Sequence, residues 1–282
     1  MIPPISTRRA RFRSFTMVAA FTLVELCVAL AVFSVLLIMM SQIISTVSQT
    51  WLAGAASVDN STKSRVILGL IERDIETMVL RRDLAAFVDT SGATACAFYT
   101  RCSGGTGNRG VSLVQYARGP VSAPYSLYRY DRGLSYANST GAADQLTYEQ
   151  TGKLTDLTAT TMENLADGVL AFEIQFVTAG GDLVRQYARD YTRPSAPANT
   201  NAAVISVVIL DNGAYQIAGG TSTLSAAATL FTGTPPAGMS YAQMWSQLVD
   251  QPGFGSGLPQ TVRSRIRVYQ RRVSLPHTLL PQ

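Results

Sequence analysis

One glutamate, Glu25, lies near the start of an otherwise uncharged apolar run from Phe21 to Met40. A carboxylate inside hydrocarbon costs about 2.5–3.5 kcal/mol at the centre of a membrane helix and less near its ends. It therefore needs a partner, and no Lys, Arg or His occurs between Phe21 and Met40 to provide one on the same segment. A cut before Phe21 would create such a partner, because the new α-amino group is a cation. Glu25 would then lie one turn into the helix, near its own amino terminus and within reach of a neighbouring copy's, where a carboxylate also complements the helix dipole. The other residues with chemical potential are fewer. Cys96 and Cys102 lie close together in a Gly/Ser/Thr-rich stretch. In an oxidising compartment they are expected to close a short loop as a disulfide, the alternative being two free thiols. Arg263, Arg265 and Arg267 alternate with apolar residues, and on a strand all three project from one face. Such a row is either a basic patch for acidic polymers or a charged strand edge that blocks sheet-to-sheet aggregation.

Enzyme chemistry lacks its residues. His277 is the only histidine and lies five residues from the C-terminus, so a Ser-His-Asp or Cys-His arrangement would have to be built on a terminal tail. Gly104-Gly105-Thr106-Gly107 is not followed by the Lys-Ser/Thr of a phosphate-binding loop. Asp182, Asp190, Asp211 and Asp250 lack the dense spacing of a calcium loop. No catalytic activity, cofactor or metal is expected. The chain holds 23 basic and 18 acidic side chains, but four of the arginines (Arg8, Arg9, Arg11 and Arg13) precede the apolar run. The remainder is nearly neutral, which argues against nucleic acid as a partner.

The elements that position these residues follow from patterning. Twenty apolar residues are long enough to cross about 30 Å of hydrocarbon as a helix. The arginines before them and the lack of acidic residues there keep residues 1–20 cytoplasmic and send the rest across the inner membrane. Apolar residues at helical spacing (Ile67, Leu70, Ile71, Ile75, Met78, Val79) extend the helix to about Arg82, with a bend or break expected at Gly54. Beyond it, residues 89–110 read as a loop. Strands are expected at Val111–Tyr116, Tyr125–Tyr130, Leu165–Phe176, Leu183–Tyr191, Ala203–Asp211 and Thr261–Tyr269, the most apolar of them, Ala203–Asp211, being central. Residues 212–260 read as a long insertion with only Tyr241–Val249 helical. The fold class is α+β: a long N-terminal helix packed on an antiparallel β-sheet. The organisation expected is a basic leader at 1–20, a helix at 21–82 with 21–40 in the membrane, and a β-rich domain at 83–282.

At Ala20-Phe21-Thr22-Leu23-Val24-Glu25-Leu26, between an Arg-rich leader and an apolar run, the chain resembles the type IV prepilin and pseudopilin signal. Leu70-Ile71-Glu72-Arg73-Asp74-Ile75-Glu76 is similar to the end of the long helix in the J-type minor pseudopilins of type II secretion. The resemblance implies cleavage by a prepilin peptidase between Ala20 and Phe21, methylation of the new amine, and pairing of Glu25 with a neighbouring subunit's amine. It also implies the pilin fold and other pilin or pseudopilin subunits as partners in a pilus or pseudopilus. The chain departs from the family at Ala20, where Gly is usual. The alternative reading is a membrane-anchored surface binding module that does not polymerise, with 212–260 and the arginine row as its working surface.

Overall fold

Thr22 opens the first element of the computed structural model, which describes residues 22–79, 85–89, 95–101, 110–119, 125–134, 161–178, 180–185, 187–188, 200–218 and 221–275. The chain divides into two units, residues 1–52 and 53–282. Helix α1, Leu23–Glu76, runs through the boundary between them, with neither a break nor an irregularity assigned at Gly54. In the first unit the described apolar side chains of α1 are all exposed, Leu23, Phe33, Leu36 and Ile43 among them. The hydroxyls of Ser34, Thr46 and Thr50 donate to the carbonyls four residues back, at 2.8–2.9 Å. These polar groups are thereby satisfied inside the helix instead of needing water.

In the second unit α1 buries one stripe. Ile67, Ile71 and Ile75 are no more than 1% exposed, each contributing about 1.5–3 kcal/mol of apolar burial. They pack into one cluster with two antiparallel sheets. The first sheet has the order β5-β4-β3-β2-β1-β8, from β1 (Ala85–Asp89), β2 (Ala95–Thr100), β3 (Ser112–Arg118), β4 (Ser126–Gly133), β5 (Thr161–Asp167) and β8 (Tyr187–Ala188). The second has the order β10-β9-β6-β7, from β6 (Val169–Thr178), β7 (Leu183–Val184), β9 (Thr200–Leu210) and β10 (Ile266–Ser274). The architecture is α+β, a long N-terminal helix whose second half lies against antiparallel sheets.

Strand β9 occupies an inner position, as its apolar run implies, and alternates between two cores. Ala203, Ile205, Val207 and Ile209 face the cluster shared with α1, while Val208 and Leu210 face a second cluster. That second cluster is roofed by helices α2 (Asn212–Ala218), α3 (Thr221–Thr229) and α4 (Tyr241–Val249), followed by a single turn, α5 (Gln260–Arg263). Both faces of the second sheet are thus covered, which explains why β6 and β9 are buried almost end to end. Two polar side chains on the roofed face, Gln175 and Ser206, accept the backbone N–H groups of Tyr241 (3.0 Å) and Ala242 (3.2 Å). They satisfy donors at the start of α4 that have no partner within the helix.

Four expectations are corrected. Residues 95–100 are not loop but β2, buried over 96–100 and paired along its length by β3 and over 95–97 by β1. The strand expected over Leu165–Phe176 is two strands in different sheets, β5 and β6, parted at Gly168. Its φ is +81°, and a Cβ there would lie 2.4 Å from the Leu210 carbonyl oxygen. Residues 212–260 hold three helices of seven or more residues instead of one, because Ala-rich segments without strong periodicity still bury their small side chains against the sheet. The expected strand at Thr261–Tyr269 begins only at Ile266, after the turn of α5.

Candidate functional site

The amino end of α1 carries the candidate site. Thr22 precedes the first helical residue, and its Oγ1 accepts the Glu25 backbone N–H at 3.2 Å. In return, one carboxylate oxygen of Glu25 accepts from the Thr22 backbone N–H and from its hydroxyl, each at 3.4 Å. This Thr-x-x-Glu exchange is a capping box, and it satisfies two donors that the helix leaves open at its start. The carboxylate is therefore bent back over the amino end, where the helix dipole also favours it. Both hydrogen bonds to it are long, Glu25 is exposed, and among the described residues it makes no ion pair. The site can accept a cation approaching the helix end. Ala20 and Phe21, the expected processing residues, lie outside the described residues.

Cys96 is a free thiol at 0% exposure on β2, turned into the cluster with Tyr116 and Phe98, and not half of the expected loop-closing disulfide. Cys102 lies outside the described residues. Burial, with a smaller contribution from the Glu173 charge, pushes the Cys96 thiol far above its ordinary value. It is an inert core residue in this setting.

The arginine row does not form. Arg263 is on α5 and donates to the Phe254 carbonyl (3.3 Å) and to Gln260 (3.4 Å). Arg265 precedes the strand and pairs with Asp211 at 3.3 Å. Only Arg267 is on β10, where it donates to the carbonyls of Ser264 and Ile266, both at 2.9 Å. The one-face geometry needed for a phosphate-binding row is absent at these three residues, because the chain is a helical turn where alternation was expected. Of the loop acids, Asp211 accepts the Ala214 backbone N–H at 2.9 Å, and among the described residues no group of three or more His, Cys, Asp or Glu is placed to hold a metal.

The Glu72-Arg73-Asp74 segment is part of a buried charge network. Asp74 is 0% exposed. It accepts from the Tyr116 hydroxyl at 2.6 Å and from Arg129 Nε at 2.8 Å, and Arg129 also binds Asp131 at 2.8 Å. Burial, and then the Asp74 charge, push the Tyr116 phenol well above its ordinary range. The signal was in the spacing: Asp74 falls on the same helical stripe as Ile67, Ile71 and Met78. The network ties α1 to β3 and β4, while Glu72 ties it to Arg271 of β10 at 2.6 Å.

No protein-family model and no curated protein matches the chain. Among solved structures, a type IV-like pilin from Thermus thermophilus is similar to it. The similarity covers 77% of this chain and 95% of that one, at 14% identity and a TM-score of 0.37. What the chain itself displays is an N-terminal helix apolar enough to cross a membrane, with a mean hydropathy of 2.7 over its most apolar 18-residue window, none of which is buried.

Proposed function

We propose that the chain is a minor pilin- or pseudopilin-like structural subunit, without enzymatic activity, that is stored in the inner membrane and assembled into a filament through α1. A prepilin peptidase cuts between Ala20 and Phe21, and the new amine, once methylated, stays cationic. Glu25 then pairs with that amine on a neighbouring subunit while the exposed apolar flank of α1 moves from lipid into the filament interior. The carrying observation is the exposed Glu25 carboxylate, held at the amino end of an exposed apolar helix with no cationic partner among the described residues. The basic leader and the Ala20–Leu26 pattern support the processing step, and the Leu70–Glu76 segment supports a J-type place in a type II secretion pseudopilus. The domain beyond α1 is extracytoplasmic in this reading.

Mass spectrometry of the native N-terminus tests it. The expected product begins at Phe21 and carries one added methyl group. A membrane-bound chain that retains Met1 and Arg8–Arg13, and that gives no helix-to-helix crosslinks, would identify a tethered monomer and overturn the proposal.

A further inference from the structure

Helices α3 and α4 and the turn between them close a cavity of about 230 Å³ against β6, with the end of β3 at one side. Residues 212–260, unaccounted for by anchoring or assembly, supply its roof. The volume lies just below the roughly 300–1,000 Å³ of sites for drug-sized ligands, so an occupant is small. One wall is apolar, made by Leu170, Ala171, Phe231 and Trp245. The polar side carries Arg118, Arg185 and Glu173.

The two arginines differ in their charge partners. Arg185 donates to Glu173 at 2.6 Å and lies over the Tyr241 ring, 5.5 Å from its centroid, so its charge is compensated. Arg118 donates only to the Leu170 carbonyl, at 2.7 Å, and forms no ion pair among the described residues. Its Nε is buried and has no hydrogen-bond partner. Burial also pulls its pKa below the ordinary arginine value. A largely desolvated guanidinium whose nearby carboxylate, Glu173, is already paired with Arg185 is costly to hold, and an anion beside it lowers that cost. A guanidinium also matches a carboxylate in shape and donor geometry. A bare inorganic anion would fill only a small part of the 230 Å³ cavity.

We propose that this cavity is a binding site for a small monocarboxylate with an apolar ring or chain, its carboxylate held by Arg118 and its body against Phe231 and Trp245. The site is independent of filament assembly and would operate in a tethered monomer as well.

The chain has two tryptophans, Trp51 and Trp245, so Trp51→Phe leaves Trp245 as the sole reporter at the cavity wall. Full-length Trp51→Phe protein in detergent micelles is titrated with benzoate, with benzamide as the uncharged analogue, and with inorganic phosphate. Benzoate is expected to give a saturable change in Trp245 emission with a Kd of about 1 mM or below, the affinity reachable by so small a ligand. Benzamide and phosphate are each expected to bind at least tenfold more weakly. Adding Arg118→Met should weaken benzoate at least tenfold, while partition into the micelle, common to both proteins, stays the same. Thr232→Phe, which narrows the mouth at an exposed lining residue, should do likewise and decides the matter if Arg118→Met does not fold. No saturation by about 10 mM, equal binding of benzamide or phosphate, or unchanged affinity in Thr232→Phe overturns the proposal.

Discussion

Asp74 and Cys96 show how much a single position depends on what surrounds it. Asp74 carries a full charge at 0% exposure, made tolerable by Arg129 and the Tyr116 hydroxyl. Asp74→Ala leaves Arg129 with only Asp131 and removes the acceptor of a buried phenol. It is expected to destabilise the domain by about 3–5 kcal/mol, the usual cost of breaking a buried ion pair from one side. Chemical denaturation monitored by circular dichroism measures it, and a loss under 1 kcal/mol would mean that the network is not formed. Cys96 makes the opposite kind of prediction, about inertness. With its thiol fully buried and its pKa raised, it is expected to resist iodoacetamide in the folded protein and react on unfolding. Peptide mapping after native and denaturing alkylation reads this directly, and recovery of a Cys96–Cys102 disulfide peptide would contradict the assignment.

At the scale of elements, one glycine separates the two sheets. Gly168 takes a left-handed φ of +81° so that the chain leaves β5 and enters β6, and its carbonyl accepts the Leu210 N–H at 2.8 Å. An added methyl would meet the Leu210 carbonyl oxygen at 2.4 Å. Gly168→Ala is expected to cost about 1–3 kcal/mol from backbone strain alone, with the close approach adding to it. Thermal denaturation should therefore show a lowered Tm, whereas Ala at Gly69, where a Cβ meets nothing within 4 Å on helix α1, should leave Tm unchanged or slightly raised. At the start of helix α4 local sequence supplies a cap beside the Gln175 and Ser206 acceptors of the sheet. Ser240 and Gln243 form a capping box, Gln243 N–H to Ser240 Oγ at 3.2 Å and Ser240 N–H to Gln243 Oε1 at 2.9 Å.

For the molecule as a whole, the proposed role places two demands on α1. Its first part must be content in lipid, and its last part must hold a folded domain. Ser34, Thr46 and Thr50 hide their hydroxyls within the helix, and Ile67, Ile71 and Ile75 join the domain core. Glu25 is needed for neither task. Glu25→Ala is therefore expected to leave membrane insertion and domain stability intact while abolishing incorporation into filaments. Membrane fractionation and filament shearing, followed by immunoblotting, separate the two outcomes, and normal incorporation of the variant would remove Glu25 from the assembly step. Glu25→Gln tests charge against shape, because it retains an acceptor for the Thr22 N–H but no longer attracts an amine.

What one-dimensional pattern determines here is whatever depends on residues near in sequence. The apolar run, the arginines before it and the Thr22–Glu25 spacing specify a helix start, a membrane-competent length and a lone carboxylate without reference to the rest of the chain. The near-continuous apolar run of Ala203–Leu210 likewise announces an inner strand. Periodicity misleads where burial comes from elsewhere. Residues 95–100 look like loop because they are flanked by small polar residues, and they become a strand because β1 and β3 pair with both edges. The arginines at 263, 265 and 267 alternate on paper, yet the chain turns helically before Ile266. Tertiary structure alone decides which groups neutralise the buried Asp74, that Cys96 is core, and that Arg118 stands at a cavity wall without an ion pair of its own among the described residues. Each of these rests on contacts between elements distant in sequence, where desolvation sets the energy and local propensity has no influence.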